Sequence, residues 1–464
     1  MTQVARNPSA ETVDGSGSTA VEPDRVCTVG HESRTTQCSE QTSGVTNLER
    51  WLLRRILQGL GNPPIEIALW TGEAVATCSS PPVATMRIRD RRTLWKLLGD
   101  PRFQFGEAYS DGRLEVEGKL VDLLVAVDCA LVQSGKIDFG VKGISRWLHK
   151  PRRTTLVQAR ENVHHHYDLG NDFYKLWLDE QLLYTCAYFA EPTMSLEQAQ
   201  VAKLDHVCRK IWLQAGESVI EAGCGWGALA LHMARCYGAK VRAFNTSREQ
   251  ILFARERARD EGLQDRVEFI EDDWRNIAGE CDAFVSVGML EHVGPANYGE
   301  LGDVMHRCLK REGRGLIHSI GRNRPHPTDP WIERRIFPGA YPPALSEMTS
   351  IFEPHGFSVL DVENLRPHYA ETLRHWLARF EAAYHRIVRM FDERFARMWR
   401  LYLAGSMAAF EAGCLQLFQL TFATGSSRQS PRTRAHIYAR RELAPERFDP
   451  PNRQESIPCS DVTS

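Results

Sequence analysis

From residue 216 onward the chain alternates short apolar strands with amphipathic helices, and few folds accommodate that pattern. Residues 218–222 read as a strand and 228–236 as a helix; 240–244 and 247–259 repeat the pair. Ser247 is placed to cap the second helix, with Glu249 in its first turn. Residues 267–270, 283–287 and 315–319 supply three more strands. Strands separated by helices imply a mostly parallel, doubly wound α/β sheet covered on both faces. Such sheets bind ligands beyond the carboxyl ends of their strands, where the strand order reverses.

The 464 residues exceed what one such sheet needs. Residues 1–44 are rich in Ser, Thr and Gly and read as a disordered tail, as do 439–464 with their prolines. Residues 45–145 mix short strands (65–70, 74–78, 85–88) with helices (92–98, 120–131) and predict a small N-terminal α+β domain. A basic linker at 146–160, with Pro151, Arg152 and Arg153, separates it from a second domain at 161–438 that ends in helices.

Composition narrows the function. A net charge of -2 argues against a nucleic-acid partner held by overall charge. The 12 cysteines form no CxxC pair and show no zinc-type spacing, which predicts a reducing, cytoplasmic compartment and no metal. No apolar run approaches the ~18 residues that span a bilayer, so work on lipid would be peripheral, from the inner membrane surface.

The strand ends carry the candidate chemistry. After the first strand comes EAGCGWG at 221–227, where glycines let the backbone turn sharply beside a ligand. The GxGxG spacing does not complete a dinucleotide fingerprint. With the acidic Glu221 before it, the loop suits S-adenosylmethionine (SAM), the acid facing its amino-acid moiety. Asn245 and Gln250 stand where many nucleotide folds hold ribose hydroxyls, and Asp272, Asp273 and Trp274 offer a carboxylate and an adenine platform. At the same edge fall Glu291, after the fourth strand, and His318, on the fifth. In isolation a histidine such as His318 on an apolar strand is more often a core residue than a catalytic one, Cys186 reads also as a small hydrophobe, and the His164–His166 run has no matching ligand set.

Five motifs in order carry a resemblance: HYDLGNDFY at 166–174, YTCAYF at 184–189, EAGCGWGA at 221–228, SVGMLEHVGPANY at 286–298 and LIHSIG at 316–321. Over about residues 160–425 the chain resembles the cyclopropane-fatty-acyl-phospholipid synthases and related mycolic acid cyclopropane synthases. A weaker likeness lies at GEAYSDG, 106–112. The resemblance implies a class I, Rossmann-like SAM-dependent methyltransferase. Its sulfonium methyl passes to a cis double bond of a phospholipid acyl chain, and the resulting carbocation loses a proton as the ring closes. The family's base is a bound bicarbonate. Carried over, Glu291, His318 and Tyr369 hold that ion, with Cys186 and the backbone of Ile320 completing the cradle. Tyr184, Thr185, Gly223, Gly225, Gly227, Asn245, Gln250, Trp274 and Arg275 contact the cofactor.

The substrate side stays open. Leu373, Trp376, Phe380 and Ile387 recur at helical spacing and suit core packing or the wall of an acyl tunnel. Arg379, Arg386, Arg389, Arg394 and Arg397 on the other face suit solvent or anionic head groups. The first domain is a candidate for lipid docking or homodimer formation. Competing readings are a lipid methyltransferase leaving a methyl branch, a non-catalytic lipid or SAM module, and, weakly, a nucleic-acid methyltransferase from Asn62-Pro63-Pro64.

Overall fold

The computed structural model describes residues 44–134 and 169–438. Both proposed tails except Gly44, the basic linker, the His164–His166 run and the start of the HYDLGNDFY motif lie outside the described residues.

Seven strands form the main sheet: β5 (Ser218–Ala222), β6 (Lys240–Asn245), β7 (Val267–Glu271), β8 (Cys281–Val287), β9 (Leu309–Gly321), β10 (Phe357–Asn364) and β11 (Gln416–Thr424). Their order is β10-β11-β9-β8-β5-β6-β7. β5 pairs in parallel with both β6 and β8, so the chain runs outward through β6 and β7 and then returns to the other side of β5. That return opens a crevice at the carboxyl ends of β5 and β8.

Sequence periodicity stops at five strands, whereas the structure has two more. β11 inserts antiparallel between β9 and β10. β10 is an edge strand with half-open Val359, Leu360 and Val362, so its apolar residues do not alternate with a buried face. β11 is buried almost throughout and follows a long helix, which masks it in a one-dimensional reading.

The helices obey local rules. Ser195 and Gln198 form a capping box at the start of α5 (Leu196–Lys210). Ser247 caps α7 (Arg248–Asp260) as expected. Between them, α6 (Ala228–Tyr237) starts from Gly227 at φ +85° and ends at Gly238 at φ +70°. α8 (Tyr298–Cys308) feeds β9.

The N-terminal region carries α1 (Asn47–Gly59), α2 (Arg91–Gly99), α3 (Pro101–Ser110) and α4 (Leu120–Gln133). Its sheet, β2-β1-β3-β4, uses β1 (Ile65–Ala68), β2 (Ala74–Val75), β3 (Ala84–Ile88) and β4 (Leu114–Glu117). This region packs on α10 (Glu393–Ala412), which follows α9 (Arg366–Ala382). The arginines of that stretch are not one solvated face. Arg397 donates to the carbonyls of Tyr109 and Leu114, Arg394 pairs with Glu107 and Asp111, and Arg379 reaches Leu178 and Glu197. The apolar stripe is buried at Leu373, Trp376, Phe380 and Ile387.

Gly227 shows how tightly the loop is set. A Cβ there would sit 2.6 Å from the Phe269 ring and 2.8 Å from Ala254 Cβ, at a φ that L-residues resist. Gly227→Ala is expected to cost about 2–4 kcal/mol in urea unfolding, from overpacking plus backbone strain. An unchanged midpoint would contradict this close approach.

Candidate active site

The crevice holds a cavity whose floor is the glycine loop. Gly223, Cys224, Gly225 and Trp226 line it, with Glu221 at the end of β5, Phe244, Asn245 and Thr246 after β6, and Asp272, Asp273 and Trp274 after β7. Val287, Gly288, Met289 and His292 close it from β8, and Pro338 and Gly339 from a later loop. Gly223 has φ +86°, and a Cβ would stand 2.9 Å from Met289 Cβ; Gly225 opens on empty space. The loop is braced from behind, because Trp226 donates its indole N–H to Asn171 Oδ1 at 2.7 Å. The described half of the HYDLGNDFY motif thus serves as a support.

Of the sequence-derived cofactor residues, Tyr184, Thr185, Glu221, Gly223, Gly225, Asn245, Gln250 and Trp274 line the cavity. Gly227 and Arg275 do not. Gly227 serves the helix-to-sheet contact described above. Arg275 turns to Asp273 at 2.9 Å and covers a face of Trp274, with its guanidinium 4.6 Å from the ring centre.

The polar groups of the wall are unevenly satisfied. Asn245 Nδ2 donates to Gln250 Oε1 at 2.6 Å, which leaves the buried Gln250 Nε2 without a partner. Glu221 Oε2 is also buried without a partner, and burial pushes its pKa up to about 8. Lys203, on α5, was not foreseen: it lines the cavity and donates to Thr185 Oγ1 at 2.7 Å. Burial lowers its pKa to about 8. Unsatisfied buried groups around a cavity are donors and acceptors available to a ligand.

The second group of residues lies next to this wall. Glu291 sits between cavity residues Met289 and His292, and its Oε1 accepts the Ile320 N–H at 2.6 Å. That bond ties the end of β8 to the end of β9 and engages the amide assigned above to an anion cradle. Glu291 Oε2 is buried without a partner, and burial raises the carboxyl to about 7. His318, two residues before that amide on β9, is buried, and its carbonyl accepts the Gly288 N–H. The Gln419 side-chain amide and His318 Nδ1 are hydrogen-bonded at 3.0 Å, and burial drops the imidazole pKa to about 3 and keeps the ring neutral.

Cys186 is fully buried, and desolvation holds its thiol well above the usual range. The adjacent Ala187 N–H donates to Thr372 Oγ1 on α9, which also carries the buried Tyr369. Tyr184 OH meets Tyr402 OH at 2.7 Å. Its ring packs on Tyr174, Trp177 and Trp376 at centroid distances of 5.2–5.7 Å, so an aromatic wall adjoins the cavity.

A family model described as Mycolic acid cyclopropane synthetase matches residues 154–420, and a domain of unknown function matches residues 52–129. The chain is 37% identical over 365 residues to a probable fatty acid methyltransferase of Pseudomonas putida, covering 77% of this chain and 91% of that one. It is 36% identical over 348 residues to the cyclopropane-fatty-acyl-phospholipid synthase of Escherichia coli, covering 74% and 88%. A solved mycolic acid cyclopropane synthase complexed with SAH and CTAB aligns at TM-score 0.55 and 30% identity, over 57% of this chain and 98% of that one.

Sheet order, strand-end cavity and these relatives define a class I SAM-dependent methyltransferase. More narrowly, the chain belongs to the mycolic acid cyclopropane synthetase family.

The unsatisfied amide of Gln250 makes a direct test of the cavity. Gln250→Leu is expected to weaken S-adenosylhomocysteine binding about tenfold by calorimetry, the worth of one lost hydrogen bond. Unchanged affinity would place the ligand away from this wall.

Proposed function

We propose that the enzyme transfers a one-carbon unit from SAM to the cis double bond of unsaturated phospholipid acyl chains and closes it to a cyclopropane ring. The observation that carries this reading is the arrangement at Glu291. A buried carboxyl has one oxygen held by Ile320 N–H and the other without a partner, and His318, two residues before that amide on β9, is buried and neutral.

An alkene is a weak nucleophile, so rate must come from holding the double bond in line with the sulfonium methyl. The sulfur–methyl bond breaks as a carbon–carbon bond forms, and the neighbouring alkene carbon becomes cationic. Loss of a proton from the added methyl then supplies the electron pair that closes the ring. Water would quench the cation, and the packed rings of Tyr174, Trp177, Tyr184 and Trp376 exclude it while presenting π faces.

The unpartnered Glu291 Oε2 fits a bound bicarbonate, which would supply a small base there. Near neutral pH a substantial fraction of Glu291 is protonated, so Oε2 can donate to such an anion while Oε1 keeps the Ile320 amide. His318 supplies a neutral imidazole, and Tyr369 and Cys186 stand on the segments joined through Thr372. Tyr184, Thr185, Asn245, Gln250 and Trp274, which line the cavity, would hold the donor, Trp274 offering its ring to the adenine.

The substrate is met at the cytoplasmic face of the membrane. No helix among the described residues is long and apolar enough to cross a bilayer. Instead Leu48 and Trp51 on α1 and Trp95 on α2 are exposed, among the exposed cations Arg54, Arg55, Arg92 and Lys96. Amphipathic aromatics among cations suit an anionic lipid surface.

With SAM and vesicles of unsaturated phospholipid, the purified protein is expected to lengthen acyl chains by one carbon. Glu291→Gln should lower turnover at least about a hundredfold, with S-adenosylhomocysteine affinity preserved within about threefold. A fully active Glu291→Gln enzyme would defeat the site assignment, and no lipid product would defeat the substrate. Trp51→Glu with Trp95→Glu should cut sedimentation with anionic vesicles at least about tenfold while leaving that affinity intact. Equal sedimentation would remove this face from the account.

A further inference from the structure

Lys203 is the least expected member of the cavity wall. It is 1% exposed, its ammonium donates to Thr185 Oγ1, and no described carboxylate lies within ion-pair distance of it. Its neighbour Asp179 is already engaged, with Oδ1 accepting the Leu183 N–H and Oδ2 the Gln181 N–H. Across the same cavity stands Glu221, 2% exposed, with Oε2 bare of any partner. A buried cation and a buried acid, each incompletely satisfied and both facing one cavity, are costly unless a ligand completes them.

With Glu221 facing the amino-acid end of the methyl donor as the glycine loop predicts, we propose that Lys203 completes the reading of that zwitterion by binding its α-carboxylate while Glu221 takes its α-ammonium. Lys203 is then a specificity-determining residue, resting on SAM as the donor. It accepts an adenosyl thioether that carries both charges and gains nothing from one that carries neither. Its bond to Thr185 gives the binding a second effect, because Thr185 precedes Cys186 and contacts Gly288 at the end of β8. Filling the amino-acid end thereby sets the loop that joins the donor to the carboxyl-terminal edge of the sheet.

Two probes separate this from a purely structural role for the lysine. S-adenosylhomocysteine carries the amino-acid end; 5′-methylthioadenosine keeps the adenosine and thioether without it. Lys203→Met is expected to weaken the first at least about thirtyfold and the second less than about threefold, so the nucleoside serves as the folding control. Equal losses for both probes, or no loss for either, would overturn the proposal.

The unaltered enzyme supplies an independent reading should the variant not fold. Burial raises Glu221 to about 8, with Lys203 and Cys224 the nearest charge partners, while Lys203 faces Asp179, Cys186 and His318. An α-ammonium draws Glu221 into its ionised form, so S-adenosylhomocysteine binding at pH 7 should release close to one proton and tighten from pH 6 to 8. 5′-Methylthioadenosine should do neither. Matching proton counts for the two ligands, measured by calorimetry in buffers of different ionisation enthalpy, would also overturn it.

Discussion

The chain's return from β7 to the far side of β5 governs the rest of the structure. It leaves the ends of β5 and β8 side by side, and the ends of β5, β6, β7 and β8 all deliver residues to the same cavity. The glycines after β5 keep the floor low enough for a ligand. Gly227 then brings α6 against β7 and α7 through Phe269 and Ala254, so the floor cannot drift. Bonds at the edge complete the frame: Gly288 N–H to the His318 carbonyl, and Ile320 N–H to Glu291.

A second consequence is electrostatic. Glu221, Lys203, Glu291 and His318 are all withdrawn from water at that edge, and in each case burial is the largest influence on the proton. Burial favours the uncharged form, so acids rise and bases fall toward or past neutrality. The site is thereby stocked with groups that change proton state on meeting a charged ligand. For Glu291, burial alone accounts for the raised carboxyl, and repulsion from a bound anion would add to an effect already present.

What was legible in the sequence was what local chemistry encodes. The five-strand alternation, the cap at Ser247 and the glycine loop each depend on residues within one or two turns of one another. Asn245, Gln250 and Trp274 followed because strand ends fall at one edge. Lys203 was not legible, since it lies in a continuous helix and nothing local distinguishes its side chain from any other lysine. Pro338 and Gly339 reach the cavity from a distant loop that has no strand to announce it. Arg275 shows the opposite limit: adjacent to Trp274 in sequence, it spends its charge on Asp273 instead of the cavity. Glu291, His318 and Tyr369 carried meaning only through the motifs' resemblance, because one buried acid or imidazole has no signature of its own.

The account's central claim is that the donated carbon ends in a ring, and the fate of its hydrogens decides it most directly. Cells containing unsaturated phospholipids and expressing this enzyme would be supplied with methionine bearing a fully deuterated methyl group, and the acyl chains weighed by mass spectrometry. Ring closure by proton loss leaves two of the three deuterons in each one-carbon product, and that is the result expected here. Retention of all three would show a methyl branch instead and contradict the assignment of Glu291 and its neighbours to proton removal.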